Sequence, residues 1–208
     1  MTTEVSFLKD VDRHVIETIR DDGVNRHVRF RRPGTMCMHF DLITWPGYLC
    51  YTGDMGTYVF SRLEDMFQFF RRPDNSYTID FRYWAEKLKA VDSSGGNGSA
   101  TEFSKERFKA VINEYRVSWI RESRDALTKA QRRELWEEVD EQVLSYLDDG
   151  EHKVYEEANE FSWRAGPEHF SYEFTDLWDH RFTEYTHHFL WCCHAIAWGI
   201  RKYDESKV

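Results

Sequence analysis

The sequence predicts an α+β fold: an N-terminal helix and a four-stranded antiparallel meander with packed helices, followed by an all-α C-terminal half. Three observations predict it. Phe40–Arg62 holds three short aromatic and β-branched runs, Phe40–Thr44, Tyr48–Thr52 and Thr57–Ser61, separated by Trp45-Pro46-Gly47 and Gly53-Asp54-Met55-Gly56. Runs of this length bounded by Gly and Pro read as strands, and turns this short allow only antiparallel pairing. Apolar residues recur at helical spacing on both sides of these runs. Beyond Ser93-Ser94-Gly95-Gly96-Asn97-Gly98-Ser99 the pattern is helical throughout. That run reads as a linker, because glycine loses the most backbone entropy on ordering. The expected division is a sheet domain over 1–92, a linker over 93–100 and a helical domain over 101–208.

Taken in order, Ser6–Arg20 places Phe7, Leu8, Val11, Val15 and Ile19 at helical spacing with Ser6 as cap, and Asp21-Asp22-Gly23 ends that helix. Asn25–Arg32 alternates, with Val28 and Phe30 on one side and His27, Arg29 and Arg31 on the other, so it reads as a half-exposed strand. Pro33-Gly34 turns into a second strand over Met36–Thr44. Ser61–Phe70 reads as a helix capped by Ser61 with Glu64 three residues on, broken by Arg71-Arg72-Pro73-Asp74-Asn75. Asp80–Val91 reads as another. Ser104 caps a helix to about Ser123, Thr128 one to about Asp149, and His152–Trp163 is a third, acidic helix. Arg164-Ala165-Gly166-Pro167 separates it from Phe174–Phe182. Glu184–Tyr203 is apolar around most of its girth and reads as the central helix of the second half.

At 208 residues the chain can bury a substantial core, and 16% aromatic content predicts that ring packing fills much of it. No run reaches the ~18 apolar residues of a membrane span. The first residues carry no basic stretch followed by an apolar one, so no secretory signal is expected. Cys37, Cys50, Cys192 and Cys193 form no C-x-x-C pair and are expected as buried thiols in a reducing cytoplasm. The net charge of −9 is unevenly spread. Residues 1–91 balance at 13 basic and 13 acidic side chains, 105–133 carry nine against four, and 134–184 carry three against sixteen. So one-sided a field repels phosphate and attracts basic surfaces.

The acidic run Glu134, Glu137, Glu138, Asp140, Glu141, Asp148, Asp149, Glu151, Glu156, Glu157 and Glu160 is the strongest signal not explained by folding. Like charges at i,i+3 and i,i+4 each cost a few tenths of a kcal/mol. Glu134, Glu137, Glu138 and Glu141 incur this repeatedly, which points to a basic partner; the bland alternative is a solvated face. Helical carboxylates can also imitate the phosphate spacing of DNA. Steps of four would bring Asp176, His180, Glu184 and His188 to one face of a continuous helix, and Glu184-x-x-His187 has a di-iron-bundle form, but it occurs once. His187, Trp191 and His194 would share another face. Histidines in an aromatic-rich helix are more often hydrogen-bonded core residues than ligands. No nucleophile elbow, catalytic-cysteine signature or phosphate loop is present. His27, Arg29, Arg31 and Arg32, with Arg71 and Arg72 nearby, could touch phosphate, though a solvated sheet face is the commoner meaning.

The segment from about Ser6 to Val91 resembles a family of small proteins encoded by tailed bacteriophages and prophages. The likeness lies in F-L-K-D-V at Phe7–Val11, D-D-G-V-N-R-H-V-R-F at Asp21–Phe30, R-P-G at Arg32–Gly34, the whole of Phe40–Arg62, D-M-F-Q-F-F at Asp65–Phe70 and Y-W-A-E-K-L at Tyr83–Leu88. It implies a setting rather than an activity: a phage accessory protein in the host cytoplasm, of a kind that often inhibits restriction or CRISPR defence. No residue takes a role from it. The resulting expectation is a non-enzymatic inhibitor without a cofactor. It would bind a bacterial defence protein with a basic nucleic-acid-binding surface through the acidic face, with neither membrane nor direct nucleic-acid binding. The alternative is a metal-dependent enzyme acting on nucleotides or nucleic acid through Asp176, His180, Glu184 and His188.

Overall fold

The computed structural model describes residues 2–35, 37–71, 79–92, 100–165 and 170–208. Met36, the linker run 93–99, the break at 72–75 and Gly166-Pro167 lie outside the described residues. In chain order the first elements are α1 (Glu4–Asp10), β1 (Val15–Asp22), β2 (Asn25–Arg31), β3 (His39–Trp45), β4 (Tyr48–Gly53) and β5 (Gly56–Ser61). Next come α2 (Met66–Phe70), α3 (Phe81–Glu86), β6 (Leu88–Val91), β7 (Thr101–Phe103), α4 (Lys105–Glu122) and α5 (Lys129–Gln142). A 3₁₀ turn (Leu144–Asp148) leads to α6 (Glu151–Glu160), β8 (Trp163–Ala165), β9 (Phe170–Tyr172), a 3₁₀ turn (Leu177–Asp179), β10 (Thr183–Tyr185) and α7 (His187–Glu205). The described residues fall into two units, Met1–Glu102 with Tyr185–Val208, and Phe103–Glu184.

The chain is a mixture of helix and sheet, and its first unit is built on a six-stranded antiparallel sheet in the order β1-β2-β3-β4-β5-β6. The four inner strands are those the sequence pattern predicts, and both edge strands, β1 and β6, are additions. Helix α1 stops at Asp10, and Val15–Asp22, expected to continue it, pairs with β2 instead. Val15, Ile16, Thr18 and Ile19 are β-branched, which costs rotamer freedom in a helix and suits a pleated sheet. Gly23-Val24 is the two-residue turn of that hairpin, with Gly23 at φ +60°. Thr3, rather than Ser6, caps α1, and Ser6 reciprocates in a capping box. At the other edge α3 ends at Glu86, and Leu88–Val91 pairs with β5. Helix α2 is also shorter than expected, starting at Met66 with Asp65 as cap.

One face of the sheet is packed. Phe30 stacks on Phe40 with centroids 4.9 Å apart, and Trp198 meets Phe30 edge-on at 5.4 Å. Trp191 meets Phe40 edge-on at 5.6 Å and Phe7 at 5.0 Å. Both tryptophans lie on α7, so α7 belongs to the sheet unit and not to the helical half where the sequence pattern placed it. Eleven of its nineteen residues are buried, which is why its pattern is apolar nearly all round. Gly199 allows the close approach: a Cβ there would lie 2.9 Å from Leu42 Cδ1 and 3.0 Å from Phe30 Cε2. Ion pairs hold its C-terminal end. Arg71 grips Asp204 through two bonds (2.8 and 2.6 Å), and Tyr203 Oη donates to Asp21 at 2.7 Å. Arg26, 9% exposed, holds Asp65 through two bonds (2.8 and 3.1 Å) and lies 4.7 Å from the Phe67 ring centroid.

The second unit is not all-α, since β8 and β9 pair antiparallel within it. Its core joins Phe108 and Ile112 of α4, Leu135 and Val139 of α5, and Val154 and Ala158 of α6 to Leu177 and Phe182. Phe161 and Phe174 add an aromatic layer around Trp119. The extent of α4 agrees with the Ser104 and Ser123 boundaries, and Thr128 caps α5 with Gln131 in a capping box. Among the described residues no helix is long and apolar enough to cross a membrane.

Candidate docking surface

Helix α5 buries Leu135 and Val139 on one side, and at 3.6 residues per turn this leaves Glu134 and Glu141 exposed, with Glu138 half-buried on the flank of the buried face. Beyond it, Gly150 takes φ +101° before α6, a backbone state that favours glycine. No side chain caps α6 there. Glu156 and Glu160 lie on α6 away from its buried Val154 and Ala158.

The eleven carboxylates divide into two groups. Arg133 Nε lies 2.7 Å from Glu137, Arg116 Nη1 2.7 Å from Asp140, and Lys105 Nζ 2.6 Å from Asp148. Lys153 pairs with Glu156 at 3.1 Å and with Glu157. The hydrogen bond from Lys105 holds the Asp148 carboxyl below its usual range. The hydrogen bonds that Lys153 donates to Glu157 and Glu156 raise the pKa of its ammonium. Five of the acids expected to await a partner are thus paired with four cations of the chain itself. Three of the cations come from residues 105–133, the basic stretch that precedes the acidic one. Arg116 is a buried cation, 3% exposed, that also donates to the Trp136 carbonyl and sits 3.6 Å over the Trp136 ring. Among the described residues no lysine or arginine pairs with Glu134, Glu138, Glu141, Asp149, Glu151 or Glu160. Glu138 accepts a hydrogen bond from Gln142.

The cluster on which the alternative metal-enzyme reading rests does not assemble. Asp176 sits in the left-handed region at φ 58° and His180 is extended, flanking the single 3₁₀ turn Leu177–Asp179. Glu184 is in β10 and His188 in the first turn of α7, so no continuous helix carries the four. Among the described residues no group of three or more His, Cys, Asp or Glu could hold a metal ion. The histidines have packing roles. His180 lies beside the Tyr115 and Phe182 rings, and His194 stacks on Phe7 at 5.7 Å with Phe81 edge-on at 5.6 Å. His187 hydrogen-bonds to Thr2.

Most of the basic strand face is paired too, though among the described residues the Arg32 guanidinium bonds only to the Met38 sulfur. Asp41, 4% exposed, takes two bonds of 2.8 Å from Arg29 and one of 2.8 Å from His27. Burial alone would raise its pKa, but these bonds outweigh burial and lower it. Arg31 pairs with Glu17 at 3.1 Å, and Arg71 with Asp204. Arg72 lies outside the described residues. Of the four expected buried thiols, Cys192 and Cys193 are buried, Cys50 is half-buried and Cys37 is exposed.

No family model, no curated protein and no solved structure matches this chain.

Proposed function

We propose that the protein is a phage-encoded, non-enzymatic inhibitor of a bacterial defence system, of the anti-CRISPR or anti-restriction kind, made in the host cytoplasm. It acts by stoichiometric binding, its acidic helical unit docking on the basic nucleic-acid-binding surface of the target. One observation supports this above the others: Glu134, Glu138 and Glu141, two exposed and one half-buried, form a stripe along one flank of α5 with no lysine or arginine paired to it among the described residues. Nothing in folding requires such a stripe, and mutual repulsion along α5 opposes it. The phage setting comes from the resemblance over residues 6–91.

Magnitude favours simple charge attraction over mimicry of duplex DNA. Glu134 to Glu141 spans about 10 Å of helix axis, or about one free charge per 5 Å. Duplex DNA carries one per ~1.7 Å. An acidic patch of this density steers encounter and sets register, while buried aromatic contacts supply the affinity.

The test is phage plating on a bacterial host that carries a CRISPR or restriction system. Expression of the wild-type chain should restore plating. The triple reversal Glu134→Lys/Glu138→Lys/Glu141→Lys should abolish this with its circular dichroism and melting temperature intact, because none of the three side chains is buried. Full protection by that variant would remove the proposal. Binding to the purified target should also weaken as salt rises.

A further inference from the structure

The second unit presents one aromatic ring unlike its others. Trp178 is 73% exposed, whereas Phe161, Phe174 and Phe182 around it in sequence are buried. It stands on the 3₁₀ turn Leu177–Asp179, which is held from four sides. Leu177 is fully buried. Tyr155 Oη donates to the Leu177 carbonyl at 3.4 Å, and Tyr115 Oη donates to the Thr175 carbonyl. Backbone bonds Asp179 N to Asp176 O (3.0 Å) and His180 N to Leu177 O (3.1 Å) close the turn. Asp176 accepts a left-handed backbone to enter it. A large apolar ring displayed by so constrained a turn is pre-organised for contact, which lowers the entropy lost on binding.

A notch of about 340 Å³ opens beside the ring. Glu151, Tyr155, Asp179, Arg181 and Phe182 line it with Trp178. Glu151 and Asp179 have no lysine or arginine partner among the described residues. Glu151 and Tyr155 also line a second hollow of about 460 Å³ that continues along α6 toward Glu156. An indole face beside two free carboxylates suits a planar cation, which can stack on the ring and donate to both acids. With Arg181 also on the wall, and His180 counted as neutral, the notch carries one net negative charge, enough for a single cation and unfavourable for an anion.

We infer that the notch beside Trp178 receives one arginine side chain of the partner, its guanidinium stacked on the indole and paired with Glu151 and Asp179. This rests on the acidic-docking reading and adds an anchor to it. Arginine is favoured over lysine because its planar fork can stack and form paired hydrogen bonds at once.

The experiment measures fluorescence anisotropy of labelled octa-arginine and octa-lysine peptides with the full chain at low and physiological salt. Octa-arginine should bind more tightly, and Trp178→Ala should weaken it about five- to tenfold while changing octa-lysine little. The exposed position of Trp178 leaves the fold intact, which circular dichroism checks. Glu151→Gln/Asp179→Asn should weaken both peptides and reduce the salt dependence. Equal binding of octa-arginine by wild type and Trp178→Ala overturns the anchor. If the triple reversal in α5 still weakens both peptides, that result spares the docking reading. No binding of either peptide at low salt overturns both.

Discussion

At the scale of single residues, burial sets the behaviour of groups that the sequence offered as chemistry. His194 is the clearest. Its imidazole is sandwiched with Phe7 and Phe81, and burial lowers its pKa against a smaller opposing pull from Glu4. Burial likewise lowers that of His14. A histidine depressed in the folded state takes its proton first in the unfolded one. Stability is therefore complete above the unfolded value of about 6.5 and is lost as pH falls from there through the folded pKa. Denaturant titrations stepped down from about pH 7 to about pH 5 should show this loss, and His194→Gln should flatten the slope. An unchanged slope would place the proton uptake elsewhere. Asp41 illustrates the same lesson with opposite charge. Alternation in β2 correctly put His27, Arg29 and Arg31 on one side, yet nothing local announced that Asp41, twelve residues from Arg29, would consume two of them.

At the scale of elements, legibility followed the range of the interactions involved. The three central strands and the caps Ser104 and Thr128 depend on neighbours a few residues away, and they were readable from those neighbours. Val15–Asp22 was not, because Val15 and Ile19 satisfy helical spacing and strand spacing alike, and only pairing with β2 decides. Leu88–Val91 continues the helical register of Phe81, Trp84 and Ala85, and its strand partner lies some thirty residues earlier. The acidic residues were legible as a composition. Their division into paired and free was legible only in part: Arg133–Glu137 and the Lys153 pairs are local, whereas Arg116–Asp140 and Lys105–Asp148 join residues far apart in the chain. Helix α7 carries the sharpest element-scale prediction. Gly199 is the point where its backbone nears Phe30 and Leu42, so Gly199→Ala should destabilise the sheet unit by about 1–3 kcal/mol despite alanine's better helix propensity. Urea unfolding followed by tryptophan fluorescence measures it, and a stabilised variant would contradict the packing described.

At the scale of the whole molecule, the organisation is a sheet unit interrupted by a helical one. The Thr186 amide donates to the Ala100 carbonyl at 3.0 Å, so the two ends left by removing residues 103–184 lie side by side. A chain with that segment replaced by a short Gly-Ser turn should fold cooperatively with the sheet's spectral signature. Residues 1–102 alone should not, because the sheet would lose Trp191, Ile196 and Trp198 from its packed face. Cooperative unfolding of 1–102 by itself would refute this. Residues 6–91 are in this chain only part of a core. That arrangement also governs biogenesis. A ribosome releases the meander long before residues 187–205, so the nascent sheet must wait, its aromatic side bare, while the entire inserted unit is synthesised. Chaperone capture during that interval, and not the final equilibrium alone, would then set how much finished protein a cell obtains.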